Sequence, residues 1–266
     1  MRHLCFSALV TALLSSAAVA ALMNHAAVRV GGLLYSVQNG SRPWSLAVTG
    51  DPSCRYRFEV RTGDHWLGET QTATVERSEL AAPIDDSNPA RLNAETWTAY
   101  QFRIEPGPPS SAGWVVLGDW HVRPDPGDTL KMSSPWQLEL RKGDILVFDI
   151  RVSGEKPVRD NAPERHIYTS TAPITRGTWH SLVSVADFDA RAQGTGGVTV
   201  WLDGEQIADY HGPFGYILTN PPYFKFGIYR SVAPETLAVD YANVEISRAA
   251  LSSRIHNPPP VCTTGM

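Results

Sequence analysis

The feature that most constrains this chain is its punctuation. Beyond residue 50 it breaks into short runs rich in Val, Ile, Tyr, Phe, Trp and Thr, separated by Gly, Pro, Asn and Asp, and helical periodicity is nearly absent. Such runs cannot bury an apolar stripe as helices but can bury one face as strands, which predicts an all-β sandwich or barrel. Strands are expected at 55–61, 73–80, 96–105, 114–122, 136–141, 144–152, 179–187, 198–202, 206–210, 223–230 and 237–246. Lys142-Gly143 and Asp203-Gly204 each sit between two such runs, where a tight hairpin needs positive φ, so these pairs are expected to be antiparallel.

With 266 residues, 42% of them hydrophobic, the chain can bury a sizeable core. A net charge of -4 argues against a broad nucleic-acid or membrane-surface field, so any polyanion has to bind at a focused site. Residues 1–20 pair Arg2 with an apolar run and end in Ala18-Val19-Ala20, the pattern of a cleaved secretory signal peptide. Cleavage would remove Cys5 and leave Cys54 and Cys262, a pair able to form a disulfide in an oxidising compartment and a poor zinc site. No internal repeat or linker divides the rest. One domain over 21–250 is expected, followed by an extended Pro-rich tail over 251–266, in which Pro258-Pro259-Pro260 cannot continue a strand.

Three segments place polar chemistry in otherwise apolar strands, and alternation sorts their faces. In Tyr223-Phe224-Lys225-Phe226-Gly227-Ile228-Tyr229, the core face carries Phe224, Phe226 and Ile228. The other face presents Tyr223, Lys225, Tyr229 and a Gly227 gap that a ligand could approach. Arg77 shares a face with Glu79, and Asp119 with His121. Read singly, these residues are an ordinary strand histidine, half-buried aromatics and a solvated ion-pair ladder, as His166, His180 and His211 are ordinary histidines. Together, on adjacent strands, they would build one polar surface.

Arg77-Ser78-Glu79-Leu80, Asp119-Trp120-His121 and the Tyr223–Tyr229 run resemble, in order, the signature motifs of jelly-roll polysaccharide lyases, including the family 7 alginate lyases. Arg57-Phe58-Glu59-Val60-Arg61, Thr178-Trp179-His180 and Val200-Trp201-Leu202-Asp203-Gly204 are similar to the heparin lyase I-like and family 20 glucuronan lyase group. The resemblance spans about 55–247. It implies a β-jelly roll, a concanavalin A-like two-sheet sandwich with a concave cleft, that cleaves an acidic polysaccharide by β-elimination at a uronic acid.

In that chemistry the C5 proton becomes removable once charge on the neighbouring carboxylate is stabilised, a base takes it, and an acid protonates the departing O4. Carried over, His121 is the base and Tyr223 the acid, or Tyr223 is both, depending on sugar stereochemistry. Arg77 neutralises the carboxylate, and Lys225, Tyr229, Asp119 and Glu79 bind substrate. The resemblance implies no required cofactor. A structural calcium occurs in some relatives, yet no compact oxygen-ligand loop is evident. The expected partner of a secreted or periplasmic, monomeric enzyme is an acidic polysaccharide, glucuronan-like, with no nucleic acid or membrane.

Asp119 departs from the Gln of the family motif: ionised, it would repel a substrate carboxylate unless protonated, paired, turned away or used to orient His121. A non-catalytic carbohydrate-binding protein is therefore the competing reading. A glycoside hydrolase is a further one, without the expected carboxylate run.

Overall fold

The computed structural model describes residues 23–49, 54–128, 133–159 and 162–261. Strands are numbered in chain order. The front sheet runs, in spatial order, β1 (Ala27–Val30), β2 (Leu33–Asn39), β5 (Val75–Ala81), β16 (Tyr223–Ser231), β7 (Trp114–His121), β8 (Trp136–Arg141), β9 (Ile145–Ile150) and β11 (Arg165–Pro173). The back sheet runs β14 (Glu205–His211), β13 (Gly197–Leu202), β12 (His180–Asp187), β6 (Glu95–Ile104), β17 (Leu237–Ser247), β4 (Arg55–Val60) and β3 (Leu46–Thr49). Every pairing within these two sheets is antiparallel, and the two-residue strands β10 (Val152–Ser153) and β15 (Gly215–Tyr216) pair in parallel beside them. This is the expected all-β jelly roll.

Alternation makes the core. Phe224, Phe226 and Ile228 of β16 are buried together with Trp120, Trp136 and Phe148 from neighbouring front strands. Phe226 meets Phe58 and Tyr241 of the back sheet edge-on or tilted, with ring centroids 5.6 and 5.2 Å apart. Each such side chain contributes about 1.5–3 kcal/mol of burial. The buried Tyr241 hydroxyl donates to the carbonyls of Leu117 and Gly227, which removes the cost of placing it there.

Both expected hairpins form. The β13–β14 turn holds Asp203 and Gly204 at φ 52° and 87°, and the β8–β9 turn has Gly143 and Asp144 at 81° and 64°. Gly227, expected as a gap for a ligand, has another cause. At φ 136° a Cβ there would lie 2.4 Å from the Ser78 carbonyl oxygen, so glycine is required by the close approach of β5.

The C-terminal segment also differs from the expected loose tail. A 3-10 turn at Ser252–Arg254 folds back, Leu251 is buried with Trp97 and Val183, and the Arg254 guanidinium donates to the Asn243 carbonyl and Glu245. The apolar and cationic side chains beside the prolines give this segment something to bury. Cys54 is disulfide-bonded. Cys5, Cys262 and the expected signal peptide lie outside the described residues. Among the described residues no helix is long and apolar enough to cross a membrane.

Candidate active site

The three polar segments converge because β16 lies between β5 and β7, far from both in sequence. Register then sets the site in rows: Tyr223 is opposite His121, Lys225 opposite Asp119, Gly227 opposite Glu79, and Tyr229 opposite Arg77. At one end the His121 and Tyr223 rings stack, with centroids 5.4 Å apart at 22°. At the other, the Arg77 guanidinium lies 4.0 Å from the centre of the Tyr229 ring. Six residues of β16 separate the ends, about 20 Å of strand. The backbone positions thus form a row along one face, and the long Arg77 side chain brings its charge back toward His121 and Tyr223.

Between the ends lies a buried ionic network. Lys225 is 2% exposed and its Nζ donates to Glu79 Oε2 at 2.7 Å. Arg77 Nη1 approaches the same oxygen at 3.3 Å, while its Nη2 donates to Glu69 Oε2 at 2.9 Å. Glu69 is itself fixed through its other oxygen by the Thr70 and Gln71 N–H groups, and the Arg77 guanidinium lies 5.6 Å from the centre of the Trp66 ring. Lys225 and Glu79, expected as open binding residues, therefore form the floor beneath the cleft. Burial makes that floor costly to break.

Asp119 is buried beside this pair and accepts a hydrogen bond from the Ser134 hydroxyl. Burial raises its carboxyl above the ordinary range; Lys225 opposes the shift and Glu79 reinforces it. A proton is therefore held more readily there, which reduces the repulsion an Asp brings to this position.

His121 is half-buried, and burial, followed by the charges of Lys225 and Arg77, pushes it down to about 3. Its Nδ1 accepts the Val122 N–H at 2.9 Å. In the neutral ring the proton therefore sits on Nε2, and His121 faces the cleft as a donor. Tyr223 is held above the usual tyrosine range, first by burial and then by Asp119 and Glu79, with Arg77 and Arg123 pulling the other way.

The adjoining strands were expected from the sequence, but their polar residues were not singled out. Gln137, Glu139 and Arg141 of β8, with Trp114, Tyr229, Arg151 and Glu164, line a cavity of about 220 Å3 next to the row. The signal was present in the alternation of Trp136-Gln137-Leu138-Glu139-Leu140-Arg141. Glu139 is raised to about 7 by burial, with Asp149 and Glu164 adding to the effect against Arg141. Asp149, Glu164 and His166 bring three potential metal ligands within 4.8 Å of one another. However, Arg141 contacts both of these carboxylates and Arg151 binds Glu164 again, so guanidinium groups supply the positive charge there. His180 and His211 lie on the back sheet, away from the row.

A family model described as polysaccharide lyase matches residues 36–245. No curated protein matches the chain in sequence. Among solved structures, the endo-beta-1,4-glucuronan lyase of the fungus Trichoderma reesei superposes with a TM-score of 0.55 at 14% identity, covering 80% of this chain and 87% of that one. The family 7 alginate lyase AlgAT5 gives 0.51 at 15%, covering 76% and 81%, and alginate lyase Aly36B gives 0.52 at 13%, covering 78% and 85%. At these identities the likeness is one of fold.

Proposed function

Because the chain belongs to the polysaccharide lyase family, we propose that this enzyme cleaves a glucuronate-type polyuronide by β-elimination on the front sheet, with Tyr223 and His121 at the reacting sugar. The observation that carries the reading is the stacked His121–Tyr223 pair, with His121 Nδ1 already occupied by the Val122 N–H. With its free nitrogen protonated, His121 serves as a hydrogen-bond donor. Tyr223 then takes the C5 proton as phenolate and returns it to O4. One residue can do both only where that proton and O4 leave from the same face of the ring, as in glucuronate and mannuronate and unlike guluronate. This changes the first of the two role assignments carried by the resemblance and agrees with the second.

The groups around the phenol set its working range. Asp119 from β7 and Glu79 from β5 disfavour the phenolate, while Arg77 and Arg123 favour it; the neutral His121 adds no charge and Lys225 is shared with Glu79. Turnover should rise into the alkaline range as Tyr223 ionises. Arg77, held by Glu69 and Glu79, contributes field to the cleft. The Cys54 disulfide supports export to an oxidising compartment, in keeping with the signal-peptide pattern. No cofactor enters this scheme.

The test is ultraviolet absorbance over time with glucuronan, alginate, heparin and hyaluronan offered separately, because elimination leaves a conjugated unsaturated uronate that hydrolysis does not. A rise with glucuronan that is lost in Tyr223→Phe supports the reading. Binding without any rise would favour a carbohydrate-binding protein, for which Tyr223→Phe would be silent.

A further inference from the structure

Elimination is helped by a cation or hydrogen-bond donor at the uronate carboxylate, and the cations lining the front face between β5 and β9 are already committed. Arg77 is held by Glu69 and Glu79, Lys225 by Glu79, Arg141 by Glu139 and Asp149, and Arg151 by Glu164. The Arg77 guanidinium also lies 4.0 Å from the centre of the Tyr229 ring and 5.6 Å from that of Trp66, with its Nε buried, so an incoming carboxylate would compete with Glu69 for it. Arg77 also starts from the Tyr229 row of the backbone, and its charge reaches His121 and Tyr223 from within that ion-paired network.

Arg123 is different. It follows His121 by two residues and precedes Pro124, which keeps the backbone extended, so the β7 alternation continues past the end of the strand. Val122 turns into a small buried cluster with Val158 and Tyr216, leaving Arg123 on the face of His121 and exposed to solvent. It makes no ion pair or hydrogen bond among the described residues, and its charge reaches the Tyr223 phenol.

We infer that Arg123, an uncommitted guanidinium at the His121–Tyr223 end of the cleft, is the residue that receives the carboxylate of the reacting uronate. This rests on the proposed lyase reading and relocates the neutralising contact from Arg77. A guanidinium matches a carboxylate through two parallel N–H bonds, and the developing charge strengthens both. An exposed position also lets the contact form without dismantling the buried network.

The experiment uses Arg123→Ala and Arg123→Lys in the full chain, with polyglucuronate and its methyl ester as ligands. Binding is measured by calorimetry in the Tyr223→Phe background and turnover in the otherwise unaltered enzyme. Arg123→Ala should weaken polyglucuronate binding and kcat/KM by roughly tenfold to a hundredfold, the range of a charge-assisted hydrogen bond, without changing the melting temperature. Binding of the methyl ester should be unaffected, and Arg123→Lys should restore part of the loss because it keeps the charge and loses the fork. Arg123→Ala behaving like the parent on polyglucuronate, or weakening acid and ester equally, would overturn the inference. Absence of unsaturated ends from the unaltered enzyme would instead overturn the lyase reading itself.

Discussion

On the back sheet the fully buried Asp240 accepts Arg55 Nε at 3.0 Å on one oxygen and Arg103 Nη2 at 2.7 Å on the other, and both guanidinium groups lie against Trp179. On the front sheet Glu79 is likewise shared by two cations, but the row around it continues into Asp119, whose carboxyl has, among the described residues, a neutral hydroxyl as its one hydrogen-bond donor, and ends in an open His–Tyr stack. The two sheets use the same strand alternation and the same residue types. What separates them is completion: the back sheet closes its charges on each other, whereas the front sheet leaves donors and acids facing the cleft.

The histidines show the same contrast. His180 meets an acceptor at each nitrogen, Asp203 Oδ2 at 2.7 Å and the Thr175 carbonyl at 2.9 Å, so its pKa rises: burial works against the charge and these two partners outweigh it. His121 meets a backbone donor instead, and burial, followed by the charges of Lys225 and Arg77, lowers its pKa. One binds a proton more readily between the Thr175 loop and the Asp203 turn, and the other is kept neutral beside Tyr223, the proposed reacting residue.

The largest effect that would break the comparison is chemical. Tyr223→Phe should lower kcat on the order of a thousandfold while leaving polymer affinity intact, because it removes the proton carrier and keeps the ring. A comparable kcat loss on removing an aromatic of the back sheet, such as Trp179→Leu, would show that the open stack is nothing special.

Stability comes next. Lys225→Met leaves Glu79 and Asp119 buried with less positive charge, and Asp240→Asn strands two guanidinium groups. Each should cost about 3–5 kcal/mol in urea unfolding. If Lys225→Met were neutral, the front-sheet floor would be an ordinary exposed ladder.

The pH dependence of stability sharpens the contrast with opposite signs. His180 binds its proton more tightly when folded, so its contribution is complete below the unfolded pKa near 6.5 and fades as pH rises through the elevated folded value. His121 resists protonation when folded, so the protein loses stability as pH falls from about 6.5 toward its folded value of about 3. Unfolding midpoints measured across pH should therefore flatten on the alkaline side in His180→Gln and on the acid side in His121→Gln. The smallest expected effect is in Asp119→Asn, which removes a residual acid from the cleft. Polyglucuronate affinity should rise a few-fold at neutral pH and change less in acid, as a salt-dependent binding measurement would show.

Much of this was legible in the chain. The alternation in β16 separated Phe224, Phe226 and Ile228 from Tyr223, Lys225 and Tyr229, and the hairpin glycines marked their turns. The β1–β2 hairpin was missed although Gly31-Gly32, at φ 53° and 88°, is a turn signal of the same kind. The edge strand β11 was missed because its largely exposed Arg165–Pro173 run has no strong apolar face. Strand order could not be read, since nothing local places β16 between β5 and β7. Nor could the state of the charges: Lys225 on a strand reads as solvated until Glu79 is seen against it, and Arg77 reads as available until Glu69 arrives from a loop outside the strand.

The most direct measurement is a simultaneous count of new reducing ends and new unsaturated uronate ends during digestion of polyglucuronate by the unaltered enzyme. The account predicts that the two rise together in equal numbers, and that polyguluronate yields neither. Reducing ends without unsaturation would mean hydrolysis, and would contradict the elimination assigned to the His121–Tyr223 end of the front sheet.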